Sequence, residues 1–115
     1  PRSLPRGPDM LLYRGARFGR LAEFFVLDTR QYRTPQPNGD GIKPLVGEAL
    51  RPTNTLLGRK QRGWLDAGLI SSIGTWNVLA QQVMMGMVDY TATGRNGFSM
   101  DQWPGAAHER MALVR

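Results

Sequence analysis

The chain has 115 residues, 41% of them hydrophobic, enough for one modest core with no need of a second domain. Fourteen glycines and eight prolines commit much of the backbone to turns and argue against a compact helical bundle. Fifteen Lys and Arg against nine Asp and Glu give a formal net charge of +6, which favours anionic partners without choosing among phosphate esters, nucleic acid and anionic lipid, while the lack of cysteine excludes disulfides, thiolate metal sites and cysteine nucleophiles within these residues.

Residues 1–20, "PRSLPRGPDMLLYRGARFGR", scatter prolines, glycines and arginines around Met10 to Tyr13, which predicts an extended approach segment with a brief strand at 10–14. Leu21 to Leu27 is short, aromatic and apolar on both faces in its second half, the pattern of a strand inside a covered sheet. Thr34 to Asn54 carries "TPQPNGDGIKP" and sustains neither a period of two nor one of 3.6. It reads as a long surface excursion, either a lid-like insertion or a poorly ordered loop. In "TLLGRKQRGWLDAGLISS", Leu57, Gln61, Trp64, Leu65, Gly68 and Leu69 share one side at helical spacing, which predicts a helix from about Gly58 to Leu69. "TWNVLAQQVMM" alternates Trp76, Val78 and Ala80 with Asn77, Leu79 and Gln81, a second strand from Thr75 to about Gln81 with helix as the competing reading. Thr91 to Ser99 reads as a flexible loop, and Ala106 to Arg115 as the opening of a helix. A helix between two strands in this order predicts a βαβ unit with parallel neighbouring strands. The start at Pro1 and the end inside a helical pattern lead us to expect a fragment of a longer chain. No apolar run approaches the roughly 18 residues of a membrane helix, and there is no internal repeat.

Polar residues crowd the end of the first strand, in "LAEFFVLDTRQYR". Ligand sites of open α/β sheets lie beyond the carboxyl ends of the strands, which makes Asp28, Thr29, Arg30, Gln31 and Tyr32 candidates by position. Arg30 or Arg33 offers a guanidinium fork that matches two phosphate oxygens, and Asp28 is placed to orient that arginine or to contact a metal. The plainer alternative is an Asp28–Arg30 ion pair that closes the strand end. His108 is the only histidine, and it reads as an exposed helical residue, since a metal site without cysteine needs several histidines and carboxylates. No G-x-S-x-G and no P-loop is present. The run Arg59, Lys60, Gln61, Arg62 beside Trp64 is either a nucleic-acid contact or a solvated helix face, and the position of Trp64 on the apolar side favours the latter. Met84, Met85 and Met87 read as gap-filling core, and Trp76 and Trp103 as packing anchors. Gln81 and Gln82 need hydrogen-bond partners if buried, and at least one is expected to tie neighbouring loops to the site.

"LAEFFVLDTRQYR", "LLGRKQRGWLDAGLISS", "WNVLAQQVMM" and Ser99 to Gly105, "SMDQWPG", resemble in the same order the central part of the PhoD-like, or alkaline phosphatase D, metallophosphatases, from about Leu11 to the C-terminus. The resemblance implies an α/β chain that is a piece of a four-layer α-β-β-α metallophosphatase sandwich with long loops, residues 1–115 being a single partial domain. It further implies a secreted, periplasmic or cell-surface phosphoesterase acting on phosphomonoesters and phosphodiesters. Nucleic acid would then be a partner only as a phosphodiester substrate. Iron and calcium are the implied cofactors, with ligands outside this chain. Carried over by position, Asp28, Thr29, Arg30, Tyr32 and Arg33 belong to the strand-end motif, Arg30 as a group on the phosphate side or as one supporting the groups that touch it, and Asp28 as an orienting one. Two departures stand out: Pro104 and Ala106 occupy positions where the family tends to have an acid and an aromatic, and Lys60 one where it has a glutamate. On this reading the isolated chain is inactive. The alternatives are a small basic nucleic-acid-binding module using Arg2, Arg6, Arg14, Arg17 and Arg20 with the run at 59–62, and a non-catalytic structural or interaction fragment.

Overall fold

The computed structural model describes residues 10–92, 94 and 96–115. They form two compact units. One contains the residues up to Thr29 together with Arg59–Gln82, the other Arg30–Gly58 together with Val83–Arg115. Arg2 and Arg6 lie outside the described residues, as do Thr93 and Arg95.

In the first unit, β1 (Arg14–Phe18) turns through Gly19 and Arg20 into β2 (Ala22–Val26), pairing antiparallel with Arg14 opposite Val26 and Phe18 opposite Ala22. Gly19 takes φ +55°, where a side chain would be strained, and the Leu21 amide donates to the Phe18 carbonyl at 3.1 Å. The strand expected at 10–14 therefore begins where that stretch ends. Pairing with β2 decides this, because Val26, the last residue of β2, lies opposite Arg14. The expected strand at Leu21 to Leu27 is β2 itself.

After an excursion through the second unit the chain forms α1 (Gly58–Ser71), two residues longer than its spacing predicts, and then a further strand. Numbered in chain order after β3 (Ile42–Pro44) of the second unit, this is β4 (Trp76–Ala80). It lies parallel to β2, with Ala22 opposite Trp76 and Val26 opposite Ala80, as the βαβ reading predicts. Sheet order is β1-β2-β4.

Gln61 and Leu65 are buried along α1, and Trp64 meets Tyr13 and Phe25 with ring centroids 5.0 and 5.8 Å away, so it serves the core rather than nucleic-acid stacking. Arg59 and Lys60 are exposed. Gly68 permits the close approach of helix to sheet: a Cβ there would stand 2.5 Å from Cε1 of Phe25. Trp76 is a correction. It shares the register of Ala22, on the sheet face away from Phe25 and α1, and is 65% exposed rather than a packing anchor.

The second unit is held by short elements. The span from Thr34 to Asn54, expected to contain none, has 3-10 turns at Pro37–Gly39 and Gly47–Leu50 and the strand β3 (Ile42–Pro44). β3 pairs antiparallel with β5 (Gly97–Ser99), so the end of the expected Thr91–Ser99 loop is strand. Three-residue strands leave no readable period, and their partners lie more than fifty residues away. A 3-10 turn at Trp103–Ala106 leads into α2 (Ala107–Leu113), where His108 is exposed as expected. Trp103 is fully buried with Ala49, Leu56, Leu57 and Met100. Met84 and Met87 are exposed, contrary to the expectation of core. No helix among the described residues is long and apolar enough to cross a membrane.

The residues that lead into α1 are held by Thr55 and Glu109. Thr55 Oγ1 accepts from the amides of Leu57 and Gly58 at 3.2 and 2.7 Å and donates to Glu109 Oε1 at 2.7 Å, while Glu109 Oε2 accepts from the Leu56 amide at 2.7 Å. This gives the buried Glu109 two strong donors.

Candidate functional site

The carboxyl end of β2 is where the polar cluster of the sequence falls. The ladder with β4 finishes at the Leu27 amide, which donates to the Ala80 carbonyl at 2.8 Å. Beyond it, two side-chain amides replace strand partners. Gln61 Oε1 accepts from the Asp28 amide at 2.7 Å and Gln61 Nε2 donates to the Asp28 carbonyl at 2.8 Å. Gln82 Nε2 donates to the Leu27 carbonyl at 2.6 Å, and its Oε1 accepts from the amide and the hydroxyl of Thr29 at 3.1 and 2.9 Å. Buried backbone groups lacking a ladder must find such partners. Gln82, expected as one of two glutamines that could tie neighbouring loops to the site, is exposed and bonds the end of β2 instead, and Gln61 adds a tie that spacing placed only on the buried side of a helix. Asp28 and Thr29 are both buried.

From Arg30 the chain belongs to the second unit. Arg30 Nη1 and Nη2 donate to Asp101 Oδ1 and Oδ2 at 2.7 and 2.8 Å, a two-point fork. Arg33 Nη1 donates to the same Oδ1 at 2.8 Å and to the Asp101 carbonyl at 3.0 Å, and Gln36 Nε2 donates to Oδ1 at 3.1 Å. One carboxylate thus holds two guanidinium groups, which leaves the trio with a net positive charge. The two arginines differ in access: the Arg33 side chain is 10% exposed, that of Arg30 54%. The hydrogen bond from Arg30 holds the Asp101 carboxyl below its usual range, aided by Gln36 and by the charges of both arginines and opposed by burial. The same hydrogen bond raises the Arg30 guanidinium above its ordinary value.

Of the residues singled out from sequence, the structure gathers Arg30 and Arg33 on Asp101, while Asp28 is placed in the first unit. Tyr32 has its main chain pressed to the start of α1: Gly58 takes φ +66°, and a Cβ there would lie 2.9 Å from the Tyr32 carbonyl oxygen. Sequence reasoning missed Asp101 and Gln36. Asp101 stands 71 positions from Arg30, a distance no local period reports, although it lies inside the "SMDQW" run.

Among the described residues no group of three or more His, Cys, Asp or Glu converges. Asp101 serves two arginines, Glu109 the Thr55 hydroxyl and the Leu56 amide, and Asp89 the amides of Thr91, Asn96 and Gly97. These residues do not fit an iron or calcium centre, so no chemistry of this chain is routed through one.

The sequence pattern of the PhoD-like phosphatases matches residues 1–115. The chain belongs to that family. Among its PhoD-like relatives, alkaline phosphatase D of Bacillus subtilis (strain 168) is 47% identical over 112 residues, which are 97% of this chain and 19% of that protein. The solved structure of PhoD superposes with a TM-score of 0.90 at 47% identity, covering 97% of this chain and 22% of the other. The chain therefore spans about a fifth of the length of these relatives and is a mixed α/β segment matching part of the PhoD structure.

Proposed function

We propose that this chain is the central section of the catalytic domain of a phosphoesterase acting on phosphomonoesters and phosphodiesters, and that Arg30 is its contact to phosphate oxygens. The observation that carries this reading is the solvent-accessible Arg30 guanidinium, held by Asp101 in a trio of net positive charge. Family membership supplies the reaction class. Arg33, nearly buried and bonded to main-chain carbonyls, supports the loop that carries Arg30. Asp28, tied to Gln61, closes the end of β2, and Tyr32 lies within the loop that carries Arg30. The domain is the four-layer α-β-β-α sandwich, of which β1-β2-β4 with α1 would be one sheet and one helical layer, and the enzyme works outside the cytoplasm. Iron and calcium, if present, are held by residues outside this chain and would generate the attacking hydroxide and neutralise phosphate charge. This section alone supplies substrate contact and scaffold.

In a full-length enzyme carrying this segment, Arg30→Ala lowers kcat/KM on a chromogenic phosphodiester about tenfold or more, the usual scale for losing a charge-assisted two-point contact. The melting temperature should shift far less than that loss implies. Unaltered kinetics in a folded variant would remove Arg30 from the site.

A further inference from the structure

We propose that Asp40–Gly41 is a site of covalent self-modification, at which the chain closes a cyclic imide and reopens it as isoaspartate. An Asp or Asn followed by glycine is prone to this chemistry, because the glycine nitrogen carries no neighbouring side chain to block its approach to the side-chain carbonyl. The sequence holds three such pairs, Asn38–Gly39, Asp40–Gly41 and Asn96–Gly97. By sequence alone the two asparagines rank first, since a carboxamide is attacked more readily than a carboxylate. The fold reverses that order.

At Asn96 the nucleophile is occupied: the Gly97 amide donates to Asp89 Oδ1 at 3.0 Å, and Gly97 is the buried first residue of β5. At Asn38 the electrophile is tied down. Its Nδ2 donates to the carbonyls of Val46 and Pro44 at 3.0 and 3.4 Å, and its main-chain amide donates to Glu48 Oε2 at 3.1 Å, so swinging the carboxamide onto the Gly39 nitrogen breaks bonds across the loop. Asp40 and Gly41 have neither restraint. Both are exposed, and among the described residues neither the Asp40 carboxylate nor the Gly41 N–H has a hydrogen-bonding or ionic partner. Asp40 also holds φ 65° and ψ −175°, a backbone region in which a residue with a side chain is strained. Rerouting the chain through Cβ releases that strain.

The step needs no reagent but water. The Gly41 nitrogen bonds to Cγ of the protonated carboxyl, its hydrogen leaves with the carboxyl hydroxyl as one water molecule, and the imide then takes water back at either carbonyl. Addition at the side-chain carbonyl restores aspartate, and addition at the main-chain carbonyl leaves the chain running through Cβ with a free α-carboxylate. The added main-chain methylene falls between two anchors, the Asp40 amide on the Pro37 carbonyl at 3.1 Å and the Gly41 carbonyl on the Met100 amide at 2.9 Å.

The test ages the full-length enzyme carrying this segment at neutral pH, folded in one sample and in denaturant in the other, then digests both and separates the peptides. Isoaspartate is read as a peptide of altered retention that accepts a methyl group from S-adenosylmethionine through an isoaspartyl O-methyltransferase. Conversion at an asparagine changes the mass, because hydroxyl replaces amine, whereas conversion at Asp40 does not. In the folded enzyme Asp40 should convert faster than Asn38 and Asn96, and in denaturant both asparagines should overtake it. Asp40→Glu, which would have to close a larger ring, should lose the signal at position 40 alone. A folded sample in which Asp40 stays intact or either asparagine converts faster overturns the proposal, as does an order that denaturant leaves unchanged.

Discussion

At the scale of single residues, two glutamines carry more of this structure than their chemistry advertises. Gln61 is buried and closes a two-point bond on the amide and carbonyl of Asp28, in place of the β-strand that is missing there. Gln61→Leu keeps the bulk and leaves both buried groups unpaired. A cost of about 2–4 kcal/mol follows from the usual desolvation of such groups, measurable by denaturant unfolding of the full-length protein. Gln82, less buried and shared among three groups, should cost less. Asp101 provides a residue-scale pH prediction. Its folded value lies below the ordinary 3.8, so the unfolded chain binds the proton more readily. The stability it contributes is complete above that ordinary value and is lost as pH falls through the depressed one. Asp101→Asn should flatten this acid limb in a series of melts. The effect is modest, since solvent reaches both Asp101 and Arg30.

At the scale of elements, α1 shows how little of a helix is settled by its own residues. Its spacing predicts the buried stripe of Gln61 and Leu65, and Gly68 shows why that stripe can approach the sheet so closely. Its first turn, however, has no acidic residue, and the amide of its leading residue, Gly58, donates to Thr55 Oγ1. Thr55→Ala strips that cap and should destabilise the protein by about 1–2 kcal/mol, the range for a lost N-terminal cap, read from a thermal melt. Thr55→Ser retains the hydroxyl and should recover most of the loss. The turn at Trp103–Ala106 makes a comparable point about sequence departures. Pro104 is buried there, and Gly105 has no space for a Cβ, which would collide with the Met100 carbonyl. Close packing around Gly105 and Trp103 accounts for this loop, and the acid and aromatic expected from family resemblance at 104 and 106 are replaced by buried Pro104 and Ala106.

At the scale of the molecule, the described residues of the first unit cover its sheet on one face only. α1 takes the side of Phe25, while Phe18 and Trp76 on the opposite face are 68% and 65% exposed, with Val78 beside them in register. An apolar patch of this kind favours association. Expressed by itself, the 115-residue chain should sediment as oligomers at micromolar concentration, and the pair Phe18→Ser with Trp76→Gln should shift it towards monomer; a monomeric wild type would refute this. The sequence alone pointed to β2, α1, β4 and α2 and the parallel βαβ relation, because each is five or more residues long and marked by its own local composition or spacing. It also located the strand-end motif and the family. Only the tertiary structure decided that β3 and β5 exist, that Trp76, Met84 and Met87 lie at the surface, and that Arg30 and Arg33 share Asp101. Those outcomes depend on partners dozens of residues away, and local pattern holds no record of which distant side chain completes a hydrogen bond or covers a face.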